Sequence, residues 1–121
     1  MSSKLGALLL AAAMSCAPAL AWAAQTTGLD LAKAGNCFAC HRVRGTRVGP
    51  AFTLISQRFA GQPGALDYLA HTIRSGGRGR WGPVPMPAQP QVTPEQAAGI
   101  ARWIISLTGA APAAANGPPA K

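Results

Sequence analysis

Two cysteines and a histidine lie together on one short segment, Cys37-Phe38-Ala39-Cys40-His41. This spacing most constrains the fold, because it places two thiols and an imidazole on a single turn. Covalent attachment of haem needs that arrangement: two thiols must reach the two vinyl groups while the next residue presents a nitrogen to the iron. The motif predicts one c-type haem, bonded to Cys37 and Cys40 and ligated by His41.

Three other interpretations of the motif are a redox dithiol, a disulfide and half of a zinc site. A dithiol of the thioredoxin kind would need a surrounding βαβ pattern, which the sequence lacks. A disulfide is the default for two cysteines in an exported protein, but it does not explain the adjacent histidine. A tetrahedral zinc site needs a fourth ligand, and His71 is the only other histidine.

The first 23 residues have the pattern of a secretory signal peptide that is cleaved after Ala23. Lys4 gives a positive start, the apolar run 5–14 follows, and Ala21 and Ala23 are the small residues that a signal peptidase recognises. The apolar run is about half the length that spans a bilayer, which disfavours a membrane anchor. Cys16 lies within the leader, and the residues before it do not favour lipidation.

The charge is strongly basic, with 11 Lys and Arg residues against 3 Asp and Glu residues. Such a surface favours acidic partners and speeds encounter with them at low salt. Export and the lack of a basic helix with interleaved aromatic residues argue against a nucleic-acid partner.

Four short helices are expected. Asp30 near the positive end and Gly35 as a stop signal indicate the first over 30–35. The spacing of apolar residues predicts two more over 53–59 and 65–74. The fourth begins after Thr93, which is the N-cap of a capping box with Gln96. We expect Gly109 to end this helix and residues 109–121 to form a disordered tail rich in Ala and Pro.

The segment 76–90 holds four glycines and four prolines, so no regular structure is expected there. It also carries Met86, which is the only methionine left once the leader has gone. A lone methionine often fills a gap in a core, and His71 is a rival iron ligand. Pro85 and Pro87 fix the direction of Met86, which favours it as the second axial ligand. A thioether favours ferrous iron and closes the metal to substrates, which indicates one-electron transfer.

In their order and distance, these motifs resemble the bacterial class I cytochromes c, in particular the short periplasmic kind that passes electrons to terminal reductases and oxidases. The resemblance covers about residues 28–108. It rests on the segment 35–41, on Val48-Gly49-Pro50, on the segment 81–87 and on the capped final helix.

The resemblance implies an all-α fold, the cytochrome c fold, in which four to five short helices pack around one covalently attached haem. The first and last helices would cross, with Leu31 or Ala32 against Trp103 or Ile104. The chain would then consist of the leader 1–23, one cytochrome c domain over 24–108, and the tail.

The resemblance also assigns two supporting residues. The Pro50 carbonyl would accept a hydrogen bond from the outer nitrogen of His41 and so fix its tautomer. The indole N–H of Trp81 would lie near a haem propionate, although plain core packing is the alternative for this side chain.

Two departures from the family bear on partners. Arg74, Arg78 and Arg80 lie near the predicted methionine loop, where each could pair with a propionate or remain a solvated surface charge. The lysine-rich docking face of the family is not reproduced, because only Lys33 and Lys121 remain in the mature chain. Its partner therefore cannot be carried over from the family.

The sequence thus predicts a periplasmic carrier of single electrons that catalyses no substrate chemistry. We expect a monomer without a membrane span that docks on redox proteins with acidic surfaces. The alternative is a dedicated haem c subunit of a periplasmic dehydrogenase complex. A third hypothesis, a peroxidase or gas sensor with an open haem, would require Met86 to be off the iron.

Overall fold

Four helices and a short hairpin make up residues 26–108, which are the residues that the structure, a computed structural model, describes. In chain order the elements are α1 (Gly28–Ala34), a 3₁₀ turn (Cys37–Ala39), α2 (Phe52–Phe59), α3 (Ala65–Ser75), β1 (Gly77–Gly79), β2 (Gly82–Met86) and α4 (Pro94–Ser106). The predicted, mainly helical fold is confirmed. The leader 1–23, Gly109 and the tail 109–121 lie outside the described residues.

Capping boxes start both the first and the last helix. At α4 the Thr93 hydroxyl accepts from the Gln96 N–H at 3.2 Å, and the Gln96 side chain accepts from the Thr93 N–H at 2.9 Å, as predicted. At α1 the same device joins Thr27 and Asp30, so this helix begins two residues earlier than expected. Hydrogen bonds from the Thr27 side chain and backbone hold the pKa of Asp30 below its usual value.

The hairpin corrects the expectation that segment 76–90 has no regular structure. Gly77 pairs with Met86 and Gly79 pairs with Gly82 in an antiparallel ribbon with one irregularity. Prolines are tolerated because a two-stranded ribbon consists only of edge strands, where a missing N–H can face solvent. A count of glycines and prolines along the sequence cannot detect such a ribbon.

Helix α4 is the centre of the packing, since it contacts α1, α2 and α3. The buried core consists of apolar residues from these helices and the segment before α4: Ala32, Phe52, Ile55, Phe59, Ala65, Leu69, Ile73, Val92, Ala97, Ile100, Ala101, Ile104 and Ile105. The buried Ser56 hydroxyl donates to the Ile105 carbonyl at 2.8 Å and so ties α2 to the end of α4. Within residues 26–108 no helix has both the length and the apolar character needed to cross a bilayer.

Helices α1 and α4 approach closely because each presents a glycine to the other. A Cβ on Gly28 would contact the Cβ of Trp103 and would lie 2.5 Å from the Gly99 carbonyl oxygen. A Cβ on Gly99 would lie 2.8 Å from the Leu31 Cδ1. Leu31 and Trp103, two of the residues expected at this crossing, therefore lie in it, each opposite a glycine.

The two glycines predict unequal effects of alanine. Gly28→Ala forces a methyl group against backbone, and we expect it to lower the free energy of unfolding by about 1–3 kcal/mol. Gly99→Ala meets only the end of the flexible Leu31 side chain and gains helix propensity of about 1 kcal/mol, so its net cost should be near zero. Chemical denaturation of both variants measures the difference. Equal destabilisation would contradict the close backbone contact at Gly28.

Candidate functional site

The cysteine–histidine segment forms a tight turn directly after α1. Asn36 adopts a left-handed conformation, with φ 58° and ψ 24°, which reverses the chain before the 3₁₀ turn. The N–H groups of Cys40 and His41 both donate to the Cys37 carbonyl, at 3.2 and 3.0 Å. The turn therefore gathers the two thiols and the imidazole at one cleft.

His41 is buried and has a fixed orientation. Its Nδ1 donates to the Pro50 carbonyl oxygen at 2.7 Å. Because a carbonyl oxygen can only accept, Nδ1 carries the proton and Nε2 has a free lone pair. The ring also stacks on Phe52, with centroids 5.0 Å apart and planes 22° apart.

The loop between His41 and α2 is held closed by backbone hydrogen bonds. The Gly49 N–H donates to the Cys40 carbonyl at 2.8 Å, and the Phe52 N–H donates to the Arg42 carbonyl at 2.9 Å. Gly49 is thereby pressed against the imidazole, so that a Cβ there would lie 2.5 Å from the His41 Cε1 and 2.9 Å from its Nδ1. The loop and the histidine are one packed unit.

Alanine at position 49 is expected to disturb the histidine more than alanine at another glycine of the same cleft. Gly49→Ala should displace the ring from Pro50 and cost about 1–3 kcal/mol of unfolding free energy. Gly77→Ala is the matched control, because its Cβ would meet nothing nearer than the Thr72 Cγ2 at 3.4 Å. Thermal unfolding and the proton NMR shifts of the His41 ring check this. The same small change in both variants would contradict the packing of Gly49 on the ring.

Cys37 and Cys40 are both half-buried and are not joined by a disulfide. Burial raises the pKa of the Cys37 thiol above its usual value. Within the part of the chain that the structure describes, no three His, Cys, Asp or Glu side chains come together as a metal-binding group. This arrangement does not favour the zinc interpretation of the motif.

Met86 ends strand β2 and packs, half-buried, against the core. Its backbone lies directly on the end of α3: a Cβ on Gly76 would be 2.6 Å from the Met86 carbonyl oxygen. Gly76 also has a φ of 76°, a conformation that side chains disfavour. The Gln89 N–H then donates to the carbonyls of Ile73 and Arg74, at 3.2 and 3.1 Å, and fixes the chain beyond the methionine.

One apolar cleft brings these residues together. Cys37, Cys40, His41 and Met86 all line it. Its walls are mostly apolar side chains from the helices and the hairpin: Phe52, Ile55, Phe59, Leu69, Ile73, Val84, Ile100 and Ile104. Two thiols, one imidazole with a free nitrogen, one thioether and apolar walls form a donor set that fits a covalently bound haem.

Trp81 lies at the mouth of the cleft in the turn between β1 and β2, and 40% of its surface is exposed. Of the three arginines singled out in the sequence, Arg78 and Arg80 line the cleft. Arg74 instead donates from its Nε to the Val92 carbonyl at 3.0 Å, which joins α3 to the segment before α4. His71, the rival ligand, is exposed on α3 and is not among the lining residues.

Two groups of contacts escaped the sequence analysis. Phe38, Phe52 and Trp103 form an aromatic cluster that joins the turn to α2 and α4, with centroids 5.0 to 6.3 Å apart. Arg58, on α2, stacks on Trp81 at 4.8 Å. No spacing along the chain signals either group, because the partners come from distant segments.

Short helices around an apolar cleft, with a Cys-x-x-Cys-His turn on its wall, define a class of protein, the small c-type haem proteins. The family model for cytochrome c matches residues 25–108. The chain belongs to the cytochrome c family, whose members are electron carriers with one covalently attached haem c.

The relatives are small bacterial cytochromes. The chain is 47% identical over 78 residues to cytochrome c-552 of Hydrogenobacter thermophilus. The matched segment covers 64% of this chain and 79% of that protein. It is 44% identical over 100 residues to cytochrome c-551 of Stutzerimonas stutzeri. That match covers 83% of this chain and 91% of that protein. The resemblance to class I cytochromes c is confirmed.

A solved structure has the same fold. The crystal structure of Nitrosomonas europaea cytochrome c552 superposes with a TM-score of 0.64 at 43% identity and covers 65% of this chain and 98% of that one.

Proposed function

We propose that the chain is a periplasmic carrier of single electrons whose haem is bonded to Cys37 and Cys40 and ligated by His41 and Met86. The observation that carries the proposal is the single cleft lined by all four residues. When bound, the haem supplies an Fe(III)/Fe(II) couple, and the protein residues bind, orient and shield it.

The histidine side is built for a fixed ligand. The bond from Nδ1 to the Pro50 carbonyl sets the tautomer and orients the ring so that Nε2 is the free donor atom. Phe52 and Gly49 restrict the tilt of the ring. His41 is therefore held as a donor whose position does not depend on the charge of the metal.

The methionine side is built to exclude other ligands. Pro85 and Pro87 stiffen the backbone at Met86, and the end of α3 supports it from behind. A soft thioether favours the reduced metal and raises the potential. A cleft closed in this way suits electron exchange and leaves no open position for a substrate.

The surface beside the motif suits an acidic redox partner. Arg42, Arg44 and Arg47 are exposed on the loop that follows His41, and Val48 beside them has 55% of its surface exposed. A basic patch around a small apolar area steers an acidic partner and leaves room for close approach. We propose that electrons cross here and that residues 1–23 direct the domain 24–108 to the periplasm.

The proposal is tested on the mature chain co-expressed with a haem-maturation apparatus. We expect haem that survives denaturing electrophoresis, a one-electron titration, and the weak absorption band at the red edge that marks a methionine–ferric iron bond. Size-exclusion chromatography of native extract should show the protein eluting alone. Absence of the red-edge band would contradict ligation by Met86, and elution in a large complex would favour a dehydrogenase subunit.

A further inference from the structure

The segment that follows the methionine, residues 87–92, is poor in backbone donors, and we call it the methionine strap. Pro87 and Pro90 have no N–H group. The Val92 N–H donates within the strap, to the Gln89 carbonyl at 3.1 Å. Among the residues that the structure describes, the Gln89 N–H is therefore the only backbone donor of the strap that bonds to a helix. Firm attachment of the strap needs donors from other segments.

Arg74 supplies such a donor from the last turn of α3. Its Nε donates to the Val92 carbonyl at 3.0 Å, in a contact that is partly buried. Its own carbonyl accepts from the Gln89 N–H at 3.1 Å. Arg74 thus holds the strap at two points, with its backbone at Gln89 and with its side chain at Val92.

The charges around Arg74 favour this placement. A cation is stabilised in the last turn of a helix, where the carbonyl groups carry partial negative charge. The positive start of α4, two residues after Val92, opposes the guanidinium, but Glu95 in its first turn offsets that effect. Hydrogen bonds at its own backbone and with Thr93 lower the pKa of Glu95, and the Arg74 charge lowers it further. Glu95 therefore stays ionised and helps to keep the guanidinium beside Val92.

We propose that Arg74 is a positioning residue for Met86: its bond to Val92 fixes the far end of the strap and so keeps the thioether on the iron of the oxidised protein. The inference rests on the proposed function, in which Met86 is an axial ligand. On its other side, Met86 is fixed by its pairing with Gly77 in the ribbon. The sulfur is thus carried between two anchored stretches of backbone, the ribbon and the strap.

The oxidised state depends most on this support. A thioether is a soft ligand that favours ferrous iron over ferric iron. Because the ferric bond is the weaker one, the fraction of molecules with Met86 off the iron depends on how firmly the backbone holds it. A hydrogen bond from a charged donor contributes more than one between neutral groups. Loss of the Arg74 bond should therefore raise this open fraction in the ferric protein and leave it small in the ferrous protein.

The test measures the binding of imidazole to the ferric holoprotein. Imidazole binds only where Met86 has left the iron, so the apparent affinity equals the intrinsic affinity multiplied by the open fraction. We expect Arg74→Gln to tighten the apparent binding by about tenfold or more. The ferrous form of the same variant should keep the ring-current-shifted methyl resonance of a bound methionine in its proton NMR spectrum.

Two controls separate positioning from loss of charge and from loss of stability. Arg102→Gln removes one exposed charge from α4. Gly28→Ala destabilises the crossing of α1 and α4, away from the strap. Both should bind imidazole as the unmutated protein does. Arg74→Lys keeps the charge but loses the Nε–H that donates to Val92, and we expect it to tighten binding by less than Arg74→Gln does. If Arg74→Gln does not fold, Arg74→Lys decides the test.

Equal imidazole affinity in the Arg74 variants and in Arg102→Gln would overturn the inference. An equally large rise in Gly28→Ala would also overturn it, because the effect would then follow overall stability. Unchanged binding in Arg74→Lys would show that a positive charge suffices, and the bond would have no role. Each of these results leaves the proposed function intact, which fails instead if the unmutated protein lacks attached haem or the methionine band.

Discussion

Replacing Met86 with alanine is expected to leave the haem attached and to lower its reduction potential by about a tenth of a volt or more, within the span of about 0.8 V that axial ligands control. The haem stays because Cys37 and Cys40 are untouched. The potential falls because the thioether, which favours ferrous iron, has been replaced by water or by no ligand. Optical redox titration measures the change.

The same variant should also bind external ligands. A ferric iron with a vacant side should take up imidazole or cyanide at concentrations that leave the unmutated protein unchanged. Leu54→Ala is the matched control, because Leu54 lies on α2 outside the cleft with 43% of its surface exposed. A potential unchanged by Met86→Ala, with haem in place, would show that Met86 is not the ligand.

Removing both cysteines is expected to make the stability of the protein depend on the concentration of added haem. In Cys37→Ala/Cys40→Ala the haem must bind from solution, whereas a tethered group acts at an effective concentration in the millimolar range. Against micromolar free haem, that ratio of about 1,000 corresponds to about 4 kcal/mol. For a domain this small, such a loss is a large part of its stability.

Thermal unfolding at several haem concentrations checks this prediction. The melting temperature should rise with added haem in the double variant and stay constant in the parent. The controls are the single variants, Cys37→Ala and Cys40→Ala, each of which keeps one tether and should behave like the parent. Haem that remains with the double variant on a denaturing gel would refute attachment through these two thiols.

Local rules were enough to predict much of the fold. The start of α4 follows from Thr93 and Gln96, whose side chains act within one turn. The start of α1 was placed late because Thr27 stands among polar residues that give no apolar period. The hairpin was missed because its ladder pairs residues across a turn, while its Gly and Pro content indicates a loop.

Candidate site residues that are close together in the sequence could be predicted. Contacts that only the fold brings together could not. Cys37, Cys40 and His41 are adjacent in the sequence, and Met86 stands out as the only methionine of the predicted mature chain. Arg58 lies 22 residues from Arg80, to whose carbonyl it donates. Only the fold brings its side chain to Trp81 in the turn between β1 and β2, and no periodicity encodes that contact.

The backbone contact between Gly76 and Met86 affects the expected rate of electron transfer. The loop that carries the sulfur rests on the last turn of α3 and is bonded to it again through Gln89, so it has little freedom to shift by itself. Oxidised and reduced forms should therefore share nearly one set of nuclear positions, which keeps the reorganisation energy small. We expect the pace of electron exchange to be governed by how closely a partner docks, and not by rearrangement of the chain.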